Sequence, residues 1–320
     1  MSIENVDVIF GASWGDEGKG KISARIASQY DYVCRFNGGS NAGHTFYVGD
    51  KKVVTHIVPS GIAFGKPSII GPNCVVCVED FFSEVAELAR LNFDVKLIKI
   101  SPKAHIVQKK HKEQDINTYA ATLGTTSKGI GPCYADRALR VGTRACEIIP
   151  EDYLWDEKLK GNVLCEGAQS FWLDINQGNY PYVTSSECLP YASCSLGFSP
   201  KKINRIFAVA KMYDTRSGTD PYFDLDDEET KLVAKLGNEV GATTGRPRQV
   251  KWLNLDKLAH ALDKAGATML YLNKGDILEQ ANIFKLYFNS ELVVFKTMDE
   301  MKSFIQEKIT DIQIVWDFQP

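Results

Sequence analysis

Apolar positions along this 320-residue chain follow two alternating rhythms. Short apolar runs at 6–10, 95–100, 162–165, 206–210 and 269–272 predict strands. Between them apolar residues recur at helical spacing. Ile22 and Ile26 mark a helix over 22–29, a second covers 81–91, and Leu255, Leu258, Ala259 and Leu262 put one face on a helix over 255–265. This alternation predicts an α/β fold with a mostly parallel central sheet covered by helices. Segments 101–160 and 213–250 carry fewer strand signals. They are expected to form loops and small helical excursions on a single domain spanning 1–320. Ligands of such sheets bind beyond the carboxyl ends of the strands, and the glycine-rich segments here follow strand candidates.

The first strand runs into GASWGDEGKGK (11–21) and then into a helix, a P-loop-like placement for a nucleotide-binding loop. Glycines let backbone N–H groups approach an anion, and the helix N-terminus favours negative charge. Glu17, Gly18, Lys19, Gly20 and Lys21 are therefore candidate phosphate-binding residues. The segment is not a Walker A motif. Ser13 stands where the first glycine would be, and Gly20 follows Lys19 where a hydroxyl normally holds Mg²⁺. Asp16 is the carboxylate that can replace it, as a Mg²⁺ ligand or a proton acceptor.

A second glycine-rich segment, NGGSNAGHT (37–45), contains His44, an imidazole able to donate a proton to a phosphate near neutral pH. NKGD (273–276) follows the strand candidate 269–272. The Asp276 carboxylate can accept from N1 and N2 of guanine while the Lys274 stem lies along the ring. GATTGRPR (241–248) sets two hydroxyls and two guanidiniums around a glycine, which suits a dicarboxylate or a phosphate. GTTSKGIGP (124–132) and YPYVTSS (180–186) are hydroxyl-rich loops that suit a second phosphate. EGAQ (166–169) ends a strand with an amide able to read a base carbonyl.

Composition narrows the class. A net charge of −3 and 44% hydrophobic residues describe an ordinary globular chain and argue against a nucleic-acid binder. No segment reads as a secretory signal or a membrane span, so a cytoplasmic enzyme with its eight cysteines as free thiols is expected. Cys74 and Cys77 have the spacing of a metal or redox pair, but no second pair matches them and the valines between suit a strand.

Together the segments WGDEGKGKI, GGSNAGHT, VPSGI, TTSKGIGPCYADR, EGAQSFWLDI, YPYVTSS and GATTGRPRQVKWLNLD resemble the adenylosuccinate synthetase family. The resemblance implies a ligase that couples GTP to the joining of L-aspartate and a purine nucleoside monophosphate, with Mg²⁺ as cofactor and a homodimer as assembly. By position, it makes Asp16 the base and a Mg²⁺ ligand, with the Gly43 carbonyl as second protein ligand, and His44 the acid. Glu17, Gly18, Lys19, Gly20, Lys21, Gly43, His44, Thr45, Asn273, Lys274 and Asp276 fall to GTP. Asn41, Thr126, Thr184, Gln169 and Arg216 fall to the purine monophosphate. Arg140 matches an arginine that crosses the dimer interface to its phosphate. Thr243, Thr244, Arg246 and Arg248 fall to aspartate.

The chain also departs from the family. It is short, nearer the compact archaeal form, and TRSGTDPY (215–222) differs from the usual T-R-V-G-(small)-G-P-F-P-T-E of the closing loop. Asp220 stands at a glycine position, where its carboxylate can accept from a purine 2-amino group. A phage branch of the family acts on dGMP on the way to 2-aminoadenine. It usually lacks the loop aspartate and prefers ATP, whereas this chain keeps Asp16 and the 273–276 signature. The altered loop favours dGMP, in the host cytoplasm if the chain is of phage origin, with IMP as the alternative. The rival of another class is a regulatory GTP-binding protein, which has no use for a second set of phosphate-binding hydroxyls or for Arg246 and Arg248.

Overall fold

The computed structural model describes residues 2–218, 220–221, 223, 227–241 and 245–318. Its central sheet has eight strands: β1 (Ile3–Gly11), β2 (Tyr32–Arg35), β3 (Ser68–Ile70), β4 (Ile98–Ile100), β5 (Gly161–Ser170), β6 (Ile203–Lys211), β7 (Met269–Asn273) and β8 (Gln313–Asp317). Their spatial order is β8-β7-β6-β1-β5-β2-β3-β4, and the described pairings are parallel. β1 is central and buried from Val6 to Gly11. Successive side chains of a strand face opposite ways. Ile9 joins Ile22, Val33, Leu164 and Val209 on one face, and Phe10 joins Ala208, Ala210, Leu270 and Leu272 on the other.

Five helices bear on the site: α1 (Lys19–Ile26), α2 (Val78–Arg90), α3 (Ile130–Leu139), α4 (Leu255–Ala265) and α5 (Gly275–Ala281). α4 spans the predicted residues. Asn254 caps it by accepting from Lys257 N at 2.9 Å, and Gly266 ends it at φ 66°. Leu255, Leu258 and Leu262 are buried in the core on the Phe10 face, each worth about 2 kcal/mol of burial.

Three expectations are corrected. The helix expected over 22–29 starts at Lys19 and tightens into a 3₁₀ turn at Ala27–Gln29. The run at 95–100 is a strand only from Ile98, because Asp94 accepts from Lys96 N at 3.2 Å and winds Val95–Leu97 into a 3₁₀ turn. Segment 213–250 is not only loop. Tyr213–Arg216 pairs antiparallel with Gln249–Asn254 in a second, four-stranded sheet. Segment 101–160 contains the helices Lys109–Gln114 and Ala120–Leu123 and α3, joined by irregular stretches. Cys74 and Cys77 bracket the short strand Val75–Val76 as free thiols. No described helix is long and apolar enough to cross a membrane.

Candidate active site

β1, β2, β5, β6 and β7 deliver the motif segments to one end of the sheet, beyond their carboxyl ends. After β1, Glu17 turns back into its own loop. Its Oε1 accepts from Ser13 N at 3.2 Å and Gly15 N at 2.9 Å, and its Oε2 takes Lys19 Nζ at 2.8 Å. Lys19 also donates to Ser170 Oγ at 3.2 Å. Glu17 and Lys19 are 1% and 4% exposed, so this carboxylate shapes the loop. Gly18 caps α1 at φ 88°. At Gly20 an added Cβ would lie 2.5 Å from His44 Cβ, so only glycine lets the helix approach that residue.

His44 is seated by Glu166 at the end of β5. Its Nδ1 lies 2.6 Å from Glu166 Oε1 and 3.2 Å from Arg35 of β2. That approach assigns the ring proton to Nδ1 and leaves Nε2 free to exchange a proton with a ligand. Arg35 donates to the same carboxylate oxygen at 2.6 Å, while Ser23 and Ser60 hold the other. Burial, then the positive Arg35, pushes His44 down to about 4 against the opposing pull of Glu166, so the imidazole is neutral at pH 7. Burial acts to raise the Glu166 carboxyl. The charges and hydrogen bonds of His44 and Arg35, with the Ser23 hydroxyl, outweigh it and hold the group far below its usual range.

These loops wall a cavity of about 450 Å³, within the usual size of a small-molecule site. Asp16, Glu17, Gly18, Lys19, Gly20, Asn41, Gly43, His44 and Thr45 line it on one side. Thr126, Gln169, Thr184 and Arg216 line it on others. Gln169 is held at φ 56°, with its Oε1 buried and unpaired among the described residues. Asp16, at φ 61°, is tied to the second sheet. Its Oδ2 accepts from Arg248 Nε at 2.7 Å and Ser217 Oγ at 3.1 Å. Arg248 also donates to Glu239 at 2.6 Å, and Glu239 takes Lys211 at 2.8 Å and Tyr213 at 2.7 Å. Burial would raise the Glu239 carboxyl, but Lys211 and Arg248 bring it to about 2.

Other candidates lie outside the cavity. Lys21 pairs with Asp317 at 3.4 Å. Asn273 donates to the Glu17 carbonyl at 2.6 Å and so joins the 273–276 segment to the back of the phosphate loop. Lys274 donates to the Gly237 carbonyl at 3.3 Å, and Asp276 opens α5. Arg246 reaches the Gly124 carbonyl at 3.2 Å. Arg140 follows α3 at φ 65°, between Leu139 and Val141, which are 68% and 66% exposed. Asp220 is not among the residues lining the cavity. It is buried, accepts from Asn179 at 3.0 Å and pairs with Arg216 at 3.5 Å. Thr243 and Thr244 lie outside the described residues. Sequence reasoning missed Arg35 and Lys211, although each is a charge at the carboxyl end of an apolar run. It also missed Glu239 and Asp115, which carry no such signal.

A family model described as adenylosuccinate synthetase matches residues 8–162 and 153–312. Among relatives, the adenylosuccinate synthetase of Thermodesulfovibrio yellowstonii is 36% identical over 85% of this chain and 77% of its own length. That of Lactococcus lactis is 34% identical over 87% and 79%. Among solved structures, fully ligated adenylosuccinate synthetase from Plasmodium falciparum superposes with a TM-score of 0.79 at 30% identity, covering 94% of this chain and 86% of that one. The succinoaminodeoxyadenylate synthetase of cyanophage S-2L, bound to dGMP and to dATP as an energy donor, superposes with a TM-score of 0.74. It covers 98% of this chain and 91% of that one, and at 18% identity the likeness is one of fold. The chain belongs to the adenylosuccinate synthetase family, GTP-dependent carbon–nitrogen ligases that join aspartate to a purine nucleotide.

Proposed function

We propose that this enzyme joins L-aspartate to C6 of inosine 5′-monophosphate and consumes GTP in doing so. The observation that carries this reading is the convergence of Asp16, His44, Thr126, Thr184 and Gln169 on one cavity. In the proposed sequence Asp16 takes the proton from purine N1 as O6 attacks the γ-phosphorus of GTP, and GDP leaves. The amine of aspartate then adds at C6, the C6–O bond breaks, inorganic phosphate departs and the nitrogen gives up a proton. Lys19 and the backbone amides of 18–20 would carry the charge on the transferring group, which is how phosphoryl transfer is generally catalysed, and the negative charge of a bound triphosphate would draw a proton onto His44 Nε2 and let it donate there. Asn41, Thr126 and Thr184 would hold the 5′-phosphate, Gln169 the 6-position, and Arg246 and Arg248 the carboxylates of aspartate. Thr243 and Thr244 would belong with those arginines. Asn273, Lys274 and Asp276 would read guanine.

Asp16 and Gly43 both line the cavity, and a carboxylate and a carbonyl beside phosphate oxygens are donors that suit Mg²⁺. Asp16 and the Gly43 carbonyl would hold it, and bound there it would neutralise phosphate charge. The exposed Leu139 and Val141 beside Arg140 support a homodimer in which one copy's Arg140 reaches the other's 5′-phosphate.

The reading that favours dGMP rests on the altered 215–222 loop. Engagement of Asp220 by Asn179 and Arg216 moves the balance to IMP. The deciding experiment measures phosphate release from GTP with IMP, GMP and dGMP side by side, each with and without aspartate. Release that needs aspartate and is fastest with IMP is expected. Faster release with dGMP would transfer the assignment. GTP turnover indifferent to aspartate and to every monophosphate would leave a regulatory GTP-binding protein.

A further inference from the structure

The helical excursion over the cavity holds a buried carboxylate to which the reaction gives no part. Between the helices Lys109–Gln114 and Ala120–Leu123 the backbone widens into one turn of π-helix, Asp115–Tyr119. Such turns are rare and re-aim side chains, often at functional sites. Asp115 is 3% exposed and lines the cavity. Its two oxygens go to the two ends of one loop. Oδ1 accepts from Thr125 Oγ1 at 2.7 Å, and Oδ2 accepts from Gly129 N at 2.8 Å. The Thr125 hydroxyl in turn accepts from Ser127 N at 3.3 Å. Ser127 and Gly129 both adopt left-handed backbone, at φ 57° and 72°, a conformation that costs a serine energy unless something holds it. Between the clamped ends sits Thr126, whose place is on the cavity wall.

We propose that Asp115 is a positioning residue for the monophosphate subsite. It fixes the loop 125–129 so that the Thr126 hydroxyl and the adjoining amides stand ready for the 5′-phosphate. This role rests on the ligase reading of the site. A buried carboxylate is stabilised only by the donors it gathers, so the same two bonds that satisfy Asp115 hold the loop in shape. An asparagine of the same size has one accepting oxygen and no charge, so Asp115→Asn keeps the Gly129 N bond only as a neutral one and can meet Thr125 only with the direction reversed, Nδ2 donating to its hydroxyl.

The test compares wild type, Asp115→Asn, Thr125→Val and the double variant. Calorimetry gives Kd for IMP, for dGMP and for the nucleoside inosine, and steady-state assays give KM for IMP, GTP and aspartate. Loss of one charge-assisted bond is expected to raise Kd and KM for the monophosphate about tenfold. Inosine binding and the KM values for GTP and aspartate should change less than about twofold. Thr125→Val keeps the carboxylate and should do the same. The double variant should add little, because both changes act on one clamp. An unchanged IMP affinity in Asp115→Asn overturns the proposal, and so does an equal weakening for inosine or an equal rise in all three KM values. Wild-type protein that binds no nucleoside monophosphate instead overturns the ligase reading beneath it.

Discussion

The two sides of the cavity hold their charges differently. On the side built from β1, β2 and β5, the charges of Glu17, Lys19, Arg35 and Glu166 are matched within the same wall. Glu17 answers Lys19 two residues away, and Glu166 answers Arg35 and His44 across neighbouring strands. Towards the second sheet the decisive pair is shared: Arg248, which is not among the residues lining the cavity, holds Asp16, which is. The first wall is fixed by its own folding. The second sheet is tied to it through Asp16, and under the proposed assignment the carboxylate of aspartate would replace that contact. Arg248 has Glu239 as a second partner, so letting go of Asp16 does not leave a buried guanidinium unpaired. That is the condition under which exchange is tolerable, since an uncompensated buried charge is strongly destabilising.

Asp16 stands where the walls meet, and removing its basicity is the harshest test. Asp16→Asn should lower kcat about a thousandfold, the scale of a lost general base, with IMP and GTP still bound. Turnover within tenfold of wild type would take the base away from this position and leave the bridge to Arg248 a purely structural tie. Glu166→Gln probes the self-contained wall. It removes the charge that Arg35 and the His44 Nδ1–H both address. Turnover should fall about a hundredfold, and the midpoint of thermal unfolding should drop as well, because Arg35 is left buried without its counter-charge. A variant that lost activity at unchanged stability would show that this wall does not depend on its own pairing.

The first wall was also the legible one. The run 6–10, the glycines of 11–21 and His44 stand close together in the chain, and their chemistry shows in their spacing. The second wall depends on partners far apart in sequence. Glu239 finds Lys211, Tyr213 and Arg248 only once Tyr213–Arg216 pairs with Gln249–Asn254, and strands of four and six residues give periodicity little to work on. β3 has three residues and β2 four, and β8 is an edge strand exposed at its start, so none carries an apolar run long enough to read. The partners of Asp220 were illegible for a related reason. A carboxylate in a loop motif looks free until the fold brings Asn179 and Arg216 to it.

Arg248→Lys tests the exchangeable contact at smaller amplitude. Lysine keeps the charge but not the fork that spans Asp16 and Glu239. KM for aspartate should rise about tenfold, with thermal stability little changed because Lys211 still answers Glu239. A loss of stability as large as that of Glu166→Gln would erase the distinction between the walls.

The smallest effect is in acid–base behaviour, and there the walls have opposite signs. Burial pushes the Asp214 carboxyl, on the strand Tyr213–Arg216, up to about 7 against the pull of the Asn254 amide, Lys257 and Lys251. An unfolded aspartate titrates near ~3.9. Between roughly pH 4 and 7 the folded chain therefore keeps a proton that the unfolded chain has lost. Stability contributed by this group is whole below that window and declines as pH rises through it. His44 runs the other way. Its value falls to about 4, below the ~6.5 of an unfolded histidine, so its contribution is whole above that value and is lost as pH falls towards 4. Asp214→Asn keeps an oxygen for the Asn254 amide and removes only the titration. Thermal unfolding at pH 5 and pH 8 should then show the variant gaining on wild type more at pH 8 than at pH 5, with the acid-side decline due to His44 intact. A gain confined to pH 5 would mean that Asp214 is stabilised as an anion, and the second wall would then carry its charge as the first one does.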